Sequence, residues 1–227
     1  MHIIYYGHST FEIQQNKHKI LFDPFISPNP KAGSIQISYI KPTLIAISHA
    51  HGDHIADAES IAKTSGAPIL ANYEITSWFA NKGVEATIGM NTGGTYRLED
   101  LSISLTQAIH SSSFPDGSYG GNPNGFAVTI GNKSFYYAGD TDLFGDMHLI
   151  GTFYTPDFAF LPIGDHFTMG IERAAEAAKL LNVKKVIGMH FDTFPPIAID
   201  HTRSIAYFKE RGIELILPEI GQTITLE

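Results

Sequence analysis

Four side chains able to bind metals or move protons fall within six residues of this 227-residue chain: His49, His51, Asp53 and His54, in the stretch SHAHGDH. Three imidazoles so close repel one another once protonated, so the cluster needs a compensating reason, and a bound cation supplies one. His49 and His51 stand two apart as an apolar run ends, so both rings can face one point. Asp53 and His54 follow Gly52, where a tight turn is easy, and can face a second point beside the first. Two metal sites served by one loop is the natural reading. A single zinc ion would need only three protein ligands and a water. The bland alternative, a polar loop in which Asp53 caps a helix, leaves the three histidines unexplained.

The loop's position fits chemistry. Leu44-Ile45-Ala46-Ile47 reads as a buried strand before it, and a helix over about 55–65, closed by Gly66, follows it. Functional side chains in α/β proteins gather in such strand-to-helix loops. Three more ligand-type residues occupy the same kind of place. His110 ends a strand over 101–109, Asp140 ends SFYYAG, and His190 ends KVIGM. Each alone is more simply a strand-end cap. Together with the histidine loop they suggest one sheet rim that completes a metal centre.

Elsewhere, residues 2–6, 10–15 and 19–23 read as short antiparallel strands, with a turn at 15–18 and a stop at Asp23-Pro24. Residues 26–40 are loop-like. After the histidine loop come a strand at 68–71, a helix over 73–81 and strands near 85–88, 94–98 and 101–109. The segment 111–124 (SSSFPDGSYGGNPN) has the composition of a long binding loop or lid. A hairpin then turns over Gly131-Asn132 between strands at 125–130 and 134–138. A helix through about 151, a strand at 157–162, helices over 171–181 and 201–211, and strands at 185–189, 213–217 and 222–226 complete the pattern. No sequence repeat is visible, but both halves run antiparallel strands first and strand–helix units second. Helices between two mostly antiparallel sheets predict an α/β fold, a four-layer αββα sandwich, in one domain over 1–227.

Composition narrows the function classes. The chain has 43% apolar residues, a net charge of −8, eleven histidines and no cysteine. Any metal is therefore held by nitrogen and oxygen, and a disulfide framework is excluded. The acidic balance, with no basic run longer than Lys184-Lys185, disfavours a nucleic-acid partner. No apolar run has membrane-spanning length, and the N-terminal residues lack a signal peptide's pattern. A cytoplasmic protein acting on a small molecule is the expectation. A homo-oligomer is compatible with this reading but has no sequence warrant.

HAHGDH followed by a lone His, then Gly-Asp-Thr, then a later His, resembles the metallo-β-lactamase superfamily. Phe22-Asp23-Pro24 is similar to its first motif, a structural aspartate beneath the site. GHSTFEI, FDPF, SHAHGDH, AIHSSS, AGDTDLFGDM, LPIGDHFTMG and HFDTFP, spread over residues 7–195, more closely resemble a bacterial and archaeal family of metal-dependent hydrolases of about this length. That family is in turn related to ascorbate-6-phosphate lactonases. The resemblance implies the metallo-β-lactamase sandwich and two divalent metal ions, zinc first, with manganese, iron or nickel as alternatives. It implies His49, His51 and His110 on one ion, Asp53, His54 and His190 on the other, and Asp140 bridging them. A bridging hydroxide, oriented by Asp53, would be the nucleophile. The chain departs from many relatives in placing His166 where they have Asn.

Further candidates follow. His8 could donate a proton, bind substrate, or make a structural hydrogen bond near Asp23. His166 could contact substrate, and Asp165 could orient a ligand histidine. Phe167, Met169, Phe191 and Phe194 could wall a pocket, with core packing the simpler role for each. His2, His18, His148 and His201 read as surface residues. Ser111–Ser113 lack a nucleophile elbow, and Gly-rich 117–125 lacks the lysine of a phosphate loop. The expected activity is hydrolysis of an ester, lactone or phosphodiester-type bond. Iron-dependent redox chemistry, a non-catalytic metal-binding module and a nuclease are the competing classes.

Overall fold

In the computed structural model, which describes residues 1–226, alternating apolar side chains decide the layering. Along β3 (His18–Phe22), Ile20 and Phe22 enter one apolar cluster and Leu21 another; along β4 (Leu44–Ala46), Leu44 and Ala46 join the first and Ile45 the second. Strands buried on both faces need a cover on each. One cover is a second sheet, through Ile103, Leu105, Phe126 and Val128. The other is the helix pair α2 (Ala58–Ser65) and α3 (Tyr73–Asn81), through Ile61, Ala62, Ile75 and Phe79.

The first sheet has seven strands in the spatial order β14 (Thr223–Thr225), β1 (His2–Gly7), β2 (Thr10–Gln15), β3, β4, β5 (Ile69–Asn72), β6 (Thr87–Met90). The second, also of seven, runs β13 (Glu214–Ile216), β12 (Lys185–Met189), β11 (Phe158–Pro162), β10 (Lys133–Tyr137), β9 (Asn124–Ile130), β8 (Leu101–Gln107), β7 (Thr95–Leu98). Helices α5 (Ile171–Leu180) and α6 (His201–Lys209) pack on it beside β11 and β13, and α4 (Met147–Tyr154) packs on α5. The four-layer αββα order is as expected, but two details differ. The helices lie outside the sheet pair, not between the sheets. Both sheets are mixed: β1, β2 and β3 pair antiparallel while β3 to β6 run parallel, and β7 to β10 pair antiparallel while β10 to β13 run parallel.

This pairing explains where the chemistry collects. Two antiparallel steps restore direction, so β1, β3 and β4 end at one edge of their sheet, and β8, β10 and β12 end at one edge of theirs. His8, Asp23, His49, His110, Asp140 and His190 each follow one of those ends. Three of them leave their strands with left-handed backbone, His8 at φ 56°, Asp23 at 43° and His190 at 55°. Such angles are uncommon outside glycine and concentrate at functional sites.

Two local differences have clear causes. The helix expected from 55 begins earlier, as a single turn α1 (Gly52–Ile55), and breaks before α2. Asp57 sits in the break, where its buried carboxylate accepts hydrogen bonds from the backbone of Ile26 (2.6 Å) and Ser27 (2.9 Å). His18 is not a surface residue. It is buried, with Nε2 2.7 Å from Asp100 Oδ1, and ties β3 to the β7–β8 turn.

Candidate metal centre

Beneath the histidine loop lies Asp23, fully buried. Its Oδ1 accepts the Ser48 backbone N–H at 2.7 Å. Its Oδ2 accepts the hydroxyls of Ser48 (2.7 Å) and Tyr137 (2.8 Å) and meets His54 Nδ1 at 2.9 Å. A buried carboxylate is tolerated only when its lone pairs are taken, and here all its partners position the loop. With Nδ1 turned to Asp23, His54 Nε2 is left to point into the site. Ser48 acts on the other side as well, its Oγ lying 2.9 Å from His49 Nδ1, which turns His49 Nε2 inward.

The donor atoms form two groups. His49, His51 and His110 bring one nitrogen each within 4.8 Å of one another, and a carboxylate oxygen of Asp53 and one nitrogen each of His8, His54 and His190 do the same. His49 Nε2 and His51 Nδ1 are 3.0 Å apart. Nitrogens sharing one tetrahedral zinc stand roughly 3.3 Å apart, so this spacing suits a common cation. Asp140 joins the groups. Its Oδ2 lies 3.0 Å from His190 Nε2, 3.4 Å from His54 Nε2, 3.7 Å from His110 Nε2 and 4.0 Å from His49 Nε2. Gly139 makes this reach feasible: at φ 61°, a Cβ there would stand 2.7 Å from Asn124 O and 2.8 Å from Ser48 Cβ.

The electrostatics are those of a cation site. Burial pushes the His49 pKa well below its ordinary value, and His54 adds to the shift. His51 and His110 are lowered too, by burial first. Burial also works against charge on His54, but Asp140, Asp53 and Asp23 outweigh it and raise that pKa well above its ordinary value. Asp140 is held well below the carboxylate range, because His190 and His54 outweigh its burial. Burial pushes the Tyr137 hydroxyl up, and Asp23 reinforces this, so it stays a donor. Buried His54 Nε2, Asp140 Oδ1 and His190 Nδ1 have no hydrogen-bond partner among the described residues. An orphaned imidazole nitrogen and carboxylate oxygen, in a set of only nitrogen and oxygen donors, fit divalent metal ions.

All seven residues singled out as ligands, His49, His51, Asp53, His54, His110, Asp140 and His190, thus meet in one place. The other candidates divide. His8 is buried with both ring nitrogens engaged, Nε2 3.0 Å from Asp53 Oδ2 and Nδ1 2.9 Å from Thr193 Oγ1. It stands behind Asp53, inside the second donor group. Burial, joined by His190, lowers its pKa to about 4 against the pull of Asp53. His166 is exposed, makes an edge contact with Phe167, and does not line the cavity over the clusters. Asp165 orients no histidine: its exposed carboxylate faces Arg173 Nη2 at 3.5 Å. Asp165 and His166 adopt left-handed backbone, at φ 58° and 48°, and of this exposed turn Phe167 lines the cavity. Met169 and Phe191 are core residues.

Segment 111–124 serves the histidine loop more than it covers the site. Gly120 packs so closely that a Cβ there would stand 2.3 Å from Ala50 Cβ, and Ser112 Oγ accepts the Ala50 N–H at 3.2 Å. Ser111 alone reaches the cavity, 3.3 Å from His51 Nε2. Ser48, Tyr137 and Thr193 escaped sequence reasoning. Ser48 carried a signal, its place beside His49. The other two are brought in by strands remote in sequence.

Residues 18–191 match the family model described as a beta-lactamase superfamily domain. A UPF0173 metal-dependent hydrolase from Methylacidiphilum infernorum is 47% identical over 226 residues, which is 100% of both chains. The chain belongs to this family. It is a metal-dependent hydrolase of the metallo-β-lactamase fold. A Thermus thermophilus member is 43% identical, covering 98% of each chain. Among solved structures, Igni18, a metallo hydrolase from Ignicoccus hospitalis, aligns with a TM-score of 0.91 at 39% identity, over 100% of this chain and 98% of that one. The fold is shared more widely: an isothiocyanate hydrolase from Delia radicum gut bacteria aligns at 0.79 with 18% identity, over 100% of this chain and 99% of that one. No helix among the described residues is long and apolar enough to cross a membrane.

Proposed function

We propose that this hydrolase uses two divalent metal ions, zinc first, to cleave an ester, lactone or phosphodiester-type bond in a small cytoplasmic molecule. The observation that carries the reading is Asp140 Oδ2, within 4.0 Å of imidazole nitrogens from both groups. His49, His51 and His110 would hold one ion, Asp53, His54 and His190 the other, and Asp140 both. When bound, such a pair supplies Lewis acidity and lowers the pKa of water.

The chain's own residues do the rest. Asp53, its Oδ2 held by His8, would accept a hydrogen bond from the attacking water and so set its orientation. Asp23 fixes the face that His54 presents, and Ser48 that of His49. In net terms one water adds across the scissile bond. Its oxygen bonds to the acyl or phosphoryl centre and the bond to the leaving oxygen breaks. One proton passes to the leaving oxygen, and the acid product releases the other. A small-molecule substrate is supported by the net charge of −8, which disfavours a polyanion.

The test is metal analysis of untagged protein, followed by turnover of ester, lactone and phosphodiester panels with His51→Ala as control. Two equivalents of zinc or manganese and turnover lost in the variant are expected. One ion per chain at saturation, two equivalents of iron without hydrolysis, or turnover that ignores His51 would overturn the reading.

A further inference from the structure

The cavity over the two donor groups measures about 320 Å³. Besides five of the candidate ligands, only Ser111 and Phe167 wall it. Its formally charged side chains are Asp53 and Asp140, and no lysine or arginine among the described residues lines it. Sites for phosphoryl transfer, or for substrates with a second anionic group, ordinarily add an arginine or lysine to the metals. Arg173, which reaches the turn carrying Phe167, is already spent on other partners: its Nη1 lies 2.9 Å from Asp142 Oδ1, and its Nη2 3.5 Å from Asp165 Oδ1.

Phe167 is the one large apolar side chain on this wall, and 55% of it is exposed. An exposed aromatic at a cavity mouth is a ready contact for an apolar ligand. The turn that carries it is built to hold it there. Asp165 and His166 both adopt left-handed backbone, a conformation that costs roughly 1–2 kcal/mol per non-glycine residue. The turn is anchored at both ends. At one, Gly164 lies so close to His190 that a Cβ would stand 2.1 Å from the His190 carbonyl oxygen. At the other, Asp165 N donates to Met169 O at 3.0 Å, and Arg173 Nη2 reaches Thr168 O at 3.5 Å.

We infer that the substrate is an uncharged acyl compound, an ester or lactone, whose apolar part lies against Phe167, and that the 164–170 turn sets this preference. The inference rests on the hydrolase reading for the reaction and on the cavity wall for the preference. It narrows the bond classes above to acyl ones. Arg173 is a positioning residue: it holds the turn without touching the cavity.

Binding of amides that are not hydrolysed separates the two layers. Dissociation constants of acetamide, butanamide and hexanamide are measured on the zinc-loaded protein by saturation-transfer NMR, beside turnover of the matching p-nitrophenyl esters. Adipamate, which is hexanamide's length with a terminal carboxylate, is the charged probe. Affinity is expected to rise at least about tenfold from acetamide to hexanamide, since each buried methylene contributes severalfold. Adipamate is expected to bind at least about tenfold more weakly than hexanamide. In Phe167→Ala the chain-length gain falls below about threefold, while Phe167→Leu keeps part of it. Arg173→Met lowers the gain by less. Adipamate binding as well as hexanamide, or a gain unchanged in Phe167→Ala, overturns the inference. Amide binding as expected with no ester turnover upholds the apolar preference at Phe167 and overturns the assignment of an ester or lactone bond. Ester turnover without the chain-length gain does the reverse.

Discussion

The two donor groups share the Asp140 carboxylate but differ in what stands behind them. The His54 side is backed by charge and burial: Asp23 holds His54 at 2.9 Å, His8 holds Asp53 at 3.0 Å, and the His190 N–H donates to the His8 carbonyl at 2.9 Å. The His49 side is lighter. His49 has the Ser48 hydroxyl, His51 has Ser111 at 3.3 Å, and the His110 side chain is 16% exposed and makes no hydrogen bond to the described residues. Carboxylates behind ligands fix their orientation and raise their basicity. The physical expectation is one tight, preformed site and one less supported and so more open to exchange, with the cavity bordering both.

Breaking the shared element has the largest effect. Asp140→Ala removes the oxygen both groups approach and leaves four imidazoles around it. We expect metal content to fall below one ion per chain by elemental analysis and activity to fall by about 10³-fold or more. Asp23→Asn comes next, striking only the His54 side and the fold beneath it. Its buried carboxylate accepts four hydrogen bonds, so we expect a loss of about 2–4 kcal/mol in denaturant unfolding. The open side should respond differently. His110→Ala should leave one ion bound and stability changed by less than about 1 kcal/mol, because its ring is not fixed by neighbours. His8→Gln sharpens the comparison at the smallest scale. It loosens Asp53 and should cost about 10–100-fold in affinity for the second ion, with the first unaffected, by competition against a chelator.

The sides also differ in protons. Before a metal binds, His54 is kept protonated by Asp140, Asp53 and Asp23, whereas His49, His51 and His110 are shifted towards the neutral form. A ligand imidazole must be neutral, so metal uptake on the His54 side must expel a proton. Affinity there should rise by about tenfold per pH unit below the raised His54 pKa. Uptake on the His49 side releases fewer protons near neutrality. Calorimetry in buffers of different ionisation enthalpy measures both.

How much of this was legible in the sequence follows the same divide. The candidate ligands were readable because His49, His110, Asp140 and His190 each follow an apolar run, and chain direction then delivers such ends to one edge. Helix α3 was legible to the residue, since Asn72 caps it and accepts the Ile75 N–H at 2.9 Å. The support was harder to see. Tyr137 reaches Asp23 across 114 positions and Thr193 reaches His8 across 185, and no local pattern reports such contacts. Asp165 misled because, on left-handed backbone, its carboxylate goes to Arg173 and not to a histidine. The identity of a residue does not disclose that angle. His18 misled because a turn histidine is ordinarily exposed, while here Asp100 gives it a partner and β3 a buried end.

The central claim is that one chain holds two ions joined by Asp140, and metal titration of stripped protein followed by elemental analysis tests it most directly. The account predicts two divalent ions per chain in the unsubstituted protein, one in His110→Ala, and fewer than one in Asp140→Ala. A plateau at one ion in the unsubstituted protein, or two ions retained in Asp140→Ala, would contradict it.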